Sequence, residues 1–283
     1  MTMYEELTVP VPGGELAVLH WPATVPDAPV VVAVHGITAN ALAWGAAARL
    51  LAGRVDLYAP DLRGRAASRT VGGPYGLARH ADDIALLVEE LGLGPVRLAG
   101  HSMGAWVAAL TAVRHPSAVA RLLLVDGAVS FPLPPGIGAD DALAAVLGPA
   151  LARLSMTFAD RDAYRDFWRK HPAMAEWTDE LDAYTQRDLV GEEPELRSSC
   201  VREAIRVDGG QVLLDAEAAG AVRQLPCPAE LLWAERGLMD EPQGLYDEQR
   251  LAAADLPIPT EAVPGTNHYT IIATQTLADR LLT

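Results

Sequence analysis

The stretch "LAGHSMGAW" sets a Gly-x-Ser-x-Gly pentapeptide, with Ser102 at its centre, between a strand-like run and a helix-like run. A serine on such a sharp turn is held in a strained backbone geometry with its hydroxyl projecting above the sheet, and glycines at 100 and 104 remove the Cβ atoms that would collide. The helix that follows aims its first N–H groups and its positive dipole end at the same spot, which favours a developing oxyanion. The chemistry implied is acyl transfer through a serine nucleophile. A serine hydroxyl is a poor nucleophile at neutral pH, so it needs a base within hydrogen-bond reach and a group that orients the base. Seven histidines compete for the first role. For the second, "WAERGLMDEP" offers Glu235, Asp240 and Glu241 in quick succession, while Asp126 directly follows the four apolar residues of "LLLVDG".

The elements that must position these groups alternate along the chain. "ELTVPV" and "ELAVLHW" flank "PGG" and predict a hairpin. "PVVVAVHG", "VDLYAPDLRG", "VRLAGHS", "RLLLVDG" and "AELLWAE" are strand-length apolar runs without alternation, as expected of strands buried on both faces. Between them lie helix-like stretches, "LAWGAAARLLAG", "GLARHADDIALLVEELG" and "GAWVAALTAVRHP". This order predicts an α/β domain with a mainly parallel sheet covered on both faces. From 131 to 225 the rhythm stops, and charges, helix formers and aromatics take over, bracketed by "PLPP" at 132 to 135 and "LPCP" at 225 to 228. We read a core domain of residues 1–130 and 226–283, with a helical lid insertion at 131–225. Trp168 and Tyr164 are the candidates in that insertion for lining a substrate pocket.

Composition narrows the classes. Half of the 283 residues are apolar, enough to bury a large core without cross-links, and only Cys200 and Cys227 are present, read as two reduced thiols. No Cys/His cluster has metal-ligand spacing, so no metal and no organic cofactor is expected. A formal net charge of -15 repels phosphate backbones and anionic lipid surfaces, so the expected partner is a small molecule, neither nucleic acid nor membrane. The N-terminal residues carry charge where a signal peptide needs an apolar stretch, and no 18-residue apolar run occurs; the expectation is a cytoplasmic protein.

Taken together, these motifs resemble the serine type of the α/β-hydrolase superfamily over nearly the whole chain: "VVAVHGITANALAW" resembles its His-Gly oxyanion loop, "APDLRGRAAS" its D-x-R-G-x-x-x-S loop, and "PGTNHYTI" its histidine loop, in the same order. The resemblance implies an eight-stranded, mainly parallel sheet flanked by helices, with a helical lid. It also implies His268 as base, since family order places the base near the C-terminus, and backbone N–H groups of Ile37 and Met103 as the oxyanion hole. Proline at position 37 would remove one of those donors, so turnover unchanged in a folded Ile37→Pro protein would exclude it. His35 is expected to shape the oxyanion loop and His101 to position the turn, while His20, His80, His115 and His171 read as surface or packing residues.

The orienting acid is where the chain departs from the family. Its usual slot after the seventh strand, in a pattern like W-G-x-x-D, falls on Gly237 of "WAERG", which has no side chain. Asp240, three residues later, and Asp126, at the end of the preceding strand, are the two leading candidates; Glu235, earlier than the slot, and the absence of any acid are the remaining readings. The expected reaction is hydrolysis of an ester or lactone with a small to medium hydrophobic acyl group. A thioester or carbon–carbon bond substrate, and a hydrolase-like receptor with little turnover, are the alternatives.

Overall fold

In the computed structural model, which describes residues 3–132, 136 and 138–283, the strands and helices follow the predicted order. The strands are β1 (Glu5–Val11), β2 (Gly14–Trp21), β3 (Val30–Val34), β4 (Asp56–Pro60), β5 (Val96–His101), β6 (Val119–Val125), β7 (Leu189–Val190), β8 (Arg197–Ser198), β9 (Ala229–Arg236) and β10 (Thr260–Asn267). Eight of them form one sheet in the order β1-β2-β4-β3-β5-β6-β9-β10, while β7 and β8 make a separate two-stranded ribbon. The β1–β2 hairpin pairs antiparallel and β2 pairs antiparallel with β4. Every other junction of the large sheet is parallel.

The helices are α1 (Gly45–Leu51), α2 (Leu77–Glu90), α3 (Met103–Arg114), α4 (Ala139–Arg153), α5 (Arg161–Arg169), α6 (Asp179–Arg187), α7 (Arg202–Leu214), α8 (Ala216–Ala221), α9 (Glu248–Ala254) and α10 (Gln275–Leu282). Alternate residues of the central strands feed opposite faces, as the strand period of two requires. Val32, Leu98, Leu122, Leu124 and Leu231 pack with α2, α3 and α8 on one face. Val31, Ala33, Leu123, Val125 and Leu232 pack with α1 and α10 on the other. Apolar runs without alternation are thus the sequence trace of a sheet covered twice.

The segment between β6 and β9 is helical, α4 to α8, broken by the β7–β8 ribbon. Its first part has its own small cluster of Phe158, Tyr164, Trp168, Met174, Leu189 and Leu196. Its last part joins the main core through Cys200, Ile205, Ala218, Ala221 and Val222. Of the opening proline bracket, residues 133 to 135 lie outside the described ones. Cys200 is buried and Cys227 half-buried, both as free thiols. Among the described residues no helix is long and apolar enough to cross a membrane.

Candidate active site

Parallel strands deliver their carboxyl ends to one edge of the sheet, and the chain reverses its strand order there between β4, β3 and β5. His35–Ile37 follow β3, Ser102 follows β5, Asp126 follows β6, and His268 follows β10. Four segments distant in sequence therefore meet because the sheet is parallel.

Ser102 has φ 55 and ψ -128, a conformation that a side chain adopts only under constraint. The constraint is visible around it. Ser102 N–H donates to Val125 O at 2.9 Å. A Cβ at position 100 would lie 2.1 Å from Gly104 O, and one at 104 would lie 2.2 Å from Val34 O. The two glycines of the pentapeptide thus let β5, α3 and β3 close on one another. Ser102 itself is half-buried, at the start of α3.

His268 is buried and its Nδ1 lies 2.6 Å from Asp126 Oδ2. An ionised carboxylate only accepts, so Nδ1 carries the proton and Nε2 is left as a base. Asp126 is wholly buried, with φ 45, and is held from two more sides. Its N–H donates to Leu232 O at 2.8 Å, and its Oδ1 accepts from Ala234 N–H at 3.1 Å. The carboxylate is thereby fixed by β9 while it reaches across to the loop after β10. Among the described residues no hydrogen bond joins Ser102 to His268.

Asp240 is engaged elsewhere: its Oδ1 lies 2.7 Å from Arg236 Nε and accepts from Asn267 Nδ2 at 2.9 Å. The Asn267 hydrogen bond and the Arg236 charge hold its carboxyl below the usual range. Of the two candidate acids, the fold brings Asp126 to His268 Nδ1 and ties Asp240 to the neighbouring asparagine.

The loop after β3 is pinned at successive peptides. His35 is wholly buried, its Nε2 accepts from Leu62 N–H at 3.0 Å, and its Nδ1 therefore donates to Gly36 O at 2.7 Å. Burial pushes the His35 pKa down to about 3, so the ring stays neutral and keeps this tautomer. Since C=O and N–H of one trans peptide point opposite ways, holding Gly36 O also aims Ile37 N–H. Met103, at the first position of α3, is buried. His101 is also buried; its Nε2 lies 2.8 Å from His268 O, so it donates there and braces the His268 backbone from behind. Burial, and after it the neighbouring His268, hold the His101 pKa well below the usual histidine value.

Three of the other four histidines pair with carboxylates, His20 with Asp56, His80 with Asp208 and His115 with Asp82. In the "APDLRGRAAS" loop, Asp61 accepts from Ala41 N–H at 2.8 Å, Arg63 forks onto Asp83, and Ser68 Oγ accepts from Ala17 N–H at 2.9 Å. That loop is an anchor of the sheet edge. Tyr164 and Trp168 lie in the small cluster of the inserted segment, the Tyr164 hydroxyl bonded to Asp188. A run of rings, Trp168 to His171 at 5.9 Å, His171 to Tyr269 at 5.2 Å and Tyr269 to His268 at 5.5 Å, connects that cluster to the site. Two arginines near the oxyanion loop, Arg65 and Arg153, escaped the sequence reading because their carboxylate partners lie far away in the chain. Among the described residues no His/Cys/Asp/Glu group could hold a metal ion.

Residues 31–280 match the Alpha/beta hydrolase family, and the chain belongs to it. N-formylmaleamate deformylase of Pseudomonas putida is 41% identical over 105 residues, 36% of this chain and 38% of that protein. That match, like several others, spans well under half the relative's length. 2-(Acetamidomethylene)succinate hydrolase of Mesorhizobium japonicum is 26% identical over 266 residues, 85% of this chain and 82% of that protein. Among solved structures, E-2-(acetamidomethylene)succinate hydrolase superposes with TM-score 0.78 at 23% identity, covering 98% of this chain and 97% of that one. The thioesterase domain from the curacin biosynthetic pathway superposes with TM-score 0.74 at 24% identity, covering 99% and 100%. At these identities the superpositions show the fold alone. Family membership makes this a protein of a hydrolase enzyme family.

Proposed function

We propose that the protein is a serine hydrolase that cleaves an ester or lactone through an acyl-enzyme, with Ser102 as nucleophile, His268 as general base and Asp126 as the acid that orients it. The observation that carries this reading is the 2.6 Å contact between His268 Nδ1 and Asp126 Oδ2, beside a serine held at φ 55. In acylation the Ser102 Oγ–carbon bond forms as its proton passes to His268 Nε2. The carbon–oxygen bond of the leaving group then breaks as that oxygen takes the proton. Water repeats the sequence on the acyl-enzyme and releases the acid. The Ile37 and Met103 N–H groups hold the oxyanion in both steps. Nucleophile–base hydrogen bonds commonly form only with substrate bound, which accommodates the open Ser102–His268 arm.

The segment 131–225 is assigned as a lid, with Trp168 and Tyr164 supporting the wall that the acyl group meets. A binding-only protein would be favoured by a histidine without a carboxylate, and His268 has one. A second reading has a specific basis: the names of two relatives put an N-formyl or acetamido group and a dicarboxylic skeleton in their substrates. An N-acyl amide is therefore the competing substrate class. The test is labelling by a fluorophosphonate, followed by turnover of p-nitrophenyl esters, lactones and N-formyl and N-acetyl amides in parallel. Rapid labelling lost in Ser102→Ala supports an activated serine, and an unlabelled wild-type protein refutes it. Faster turnover of the amides than of the esters and lactones would replace the first reading with the second.

A further inference from the structure

Two arginines with no solvent exposure grip consecutive carbonyls of the oxyanion loop. Arg65 Nε donates to Ile37 O at 3.0 Å. Arg153 Nη2 donates to Thr38 O at 3.1 Å. Each guanidinium is held in turn by a carboxylate from the segment between β6 and β9. Arg65 Nη2 lies 2.6 Å from Asp208 Oδ2 of α7, both side chains wholly buried, and Arg153 pairs with Asp188 after α6. Arg65 Nη2 also lies 4.0 Å from Met103 Sδ, so one side chain touches both residues assigned to the oxyanion hole.

The two grips are themselves connected. Ser199 Oγ donates to Asp188 Oδ1 at 2.9 Å and accepts from Ala66 N–H at 2.9 Å, next to Arg65. Val201 N–H donates to Gly64 O at 2.8 Å. A Cβ on Gly64 would come within 2.8 Å of Ala204 Cβ, so only glycine admits α7 this close to the loop that carries Arg65. Asn40 Nδ2 adds a bond to Tyr184 O at 2.9 Å. Attaching this segment as a simple cover would need only apolar contact, whereas burying a guanidinium is costly unless its donors are all used. Arg65 engages all three guanidinium nitrogens while Arg153 leaves its Nε buried without a partner, and each arginine commits one donor to a backbone carbonyl of the oxyanion loop.

We propose that the inserted segment sets the oxyanion hole through Arg65 and Arg153, positioning residues that fix the Ile37 and Thr38 peptides only while Asp208 and Asp188 are docked. The Ile37 N–H shares its peptide with Gly36 O, which His35 holds, and the arginines fix the next two carbonyls, so that the chain on the far side of Ile37 cannot turn that peptide. Undocking the segment frees those two carbonyls, so the site loses oxyanion stabilisation whenever it opens. Opening for product release and competence for chemistry then exclude each other. This inference rests on the serine hydrolase reading above.

The test uses the full-length protein and a fluorophosphonate probe, whose attack by Ser102 builds negative charge on the phosphoryl oxygen. Inactivation kinetics separate the limiting rate, kinact, from the binding constant, KI, and thermal melting reports the fold. Arg65→Lys and Arg153→Lys keep a charge beside each aspartate but lose the fork. They are expected to lower kinact roughly 10- to 100-fold, the scale of a misaimed oxyanion donor, with KI within about twofold. Ser199→Ala removes only the connecting hydroxyl and is expected to lower kinact about two- to fivefold in a protein that melts normally. It decides the matter if the lysine variants fail to fold. Wild-type kinact in all folded variants, or a loss confined to KI, overturns the proposal while leaving the serine hydrolase reading intact. An unlabelled wild-type protein overturns both.

Discussion

The sheet and the segment inserted between β6 and β9 are held in place by different physics. The sheet is fixed by parallel ladders and two broad apolar layers, one on each face. The inserted segment has a cluster of six buried side chains. Its attachment to the site runs through the buried Arg65–Asp208 ion pair and through Arg153, which pairs with Asp188 inside the segment and donates to Thr38 O outside it. Apolar packing is non-directional and tolerates small shifts, whereas a guanidinium–carboxylate pair demands a geometry. The first builds the platform; the second sets the angle of what stands on it.

The largest effect expected of any single change falls on the platform's chemistry. Asp126→Asn should lower kcat on the order of 10⁴-fold, by analogy with loss of the triad acid elsewhere, while Asp240→Asn stays within about threefold. The reverse ranking, measured on one p-nitrophenyl ester, would move the acid to the loop after β9. Next come cavities in the two regions. Leu124→Ala in the sheet core should cost about 2–5 kcal/mol of global stability in chemical denaturation. Phe158→Ala, of similar local cost, should leave the main transition in place and instead expose the inserted segment to limited proteolysis. If both variants shift the same single transition, the two regions unfold as one and the contrast fails.

Acid should separate the regions more finely. The folded His35 pKa, about 3, lies below its ordinary value, and His101 is displaced the same way. The unfolded chain then binds protons that the folded one refuses. Stability from these two platform residues is complete above roughly pH 6.5 and declines as pH falls toward 3. His35→Gln should flatten that part of a stability-versus-pH curve. Asp208 is depressed too: burial works against its charge, but His80 and Arg65 outweigh burial and hold its carboxyl well below the usual carboxylate range. Its contribution is present above the ordinary carboxylate pKa and is lost as pH falls below about 4. The smallest expected effect is therefore that of Asp208→Asn on the slope below pH 4, with the curve above pH 5 unchanged in shape. A slope that changes instead near pH 6 would contradict the assignment.

What was legible in the sequence follows the same division. The strand runs and the Gly-x-Ser-x-Gly turn are local patterns, and the elements they predicted are present between the expected neighbours. The choice between Asp126 and Asp240 was not legible. It turns on parallel pairing that sets Leu124 and Val125 of β6 opposite Leu231 and Leu232 of β9, so that Asp126 N–H meets Leu232 O and its Oδ1 meets Ala234 N–H. No sequence distance encodes that. Arg65 was in plain view within "DLRGRAAS", yet its meaning depends on Asp208, which arrives on α7 after the whole inserted segment. Local periodicity reports what a residue packs against on average, whereas a buried pair between distant segments leaves no periodic trace.

His268 takes its carboxylate from the end of β6, which changes what the chain can do with the turn after β9. In "WAERGLMDEP" the half-exposed Asp240 has φ 61, and Asp240 N–H donates to Gly237 O at 3.2 Å. With the imidazole anchored from β6, that turn is left to brace the histidine loop from its side, through Asp240 and Asn267, without touching the ring.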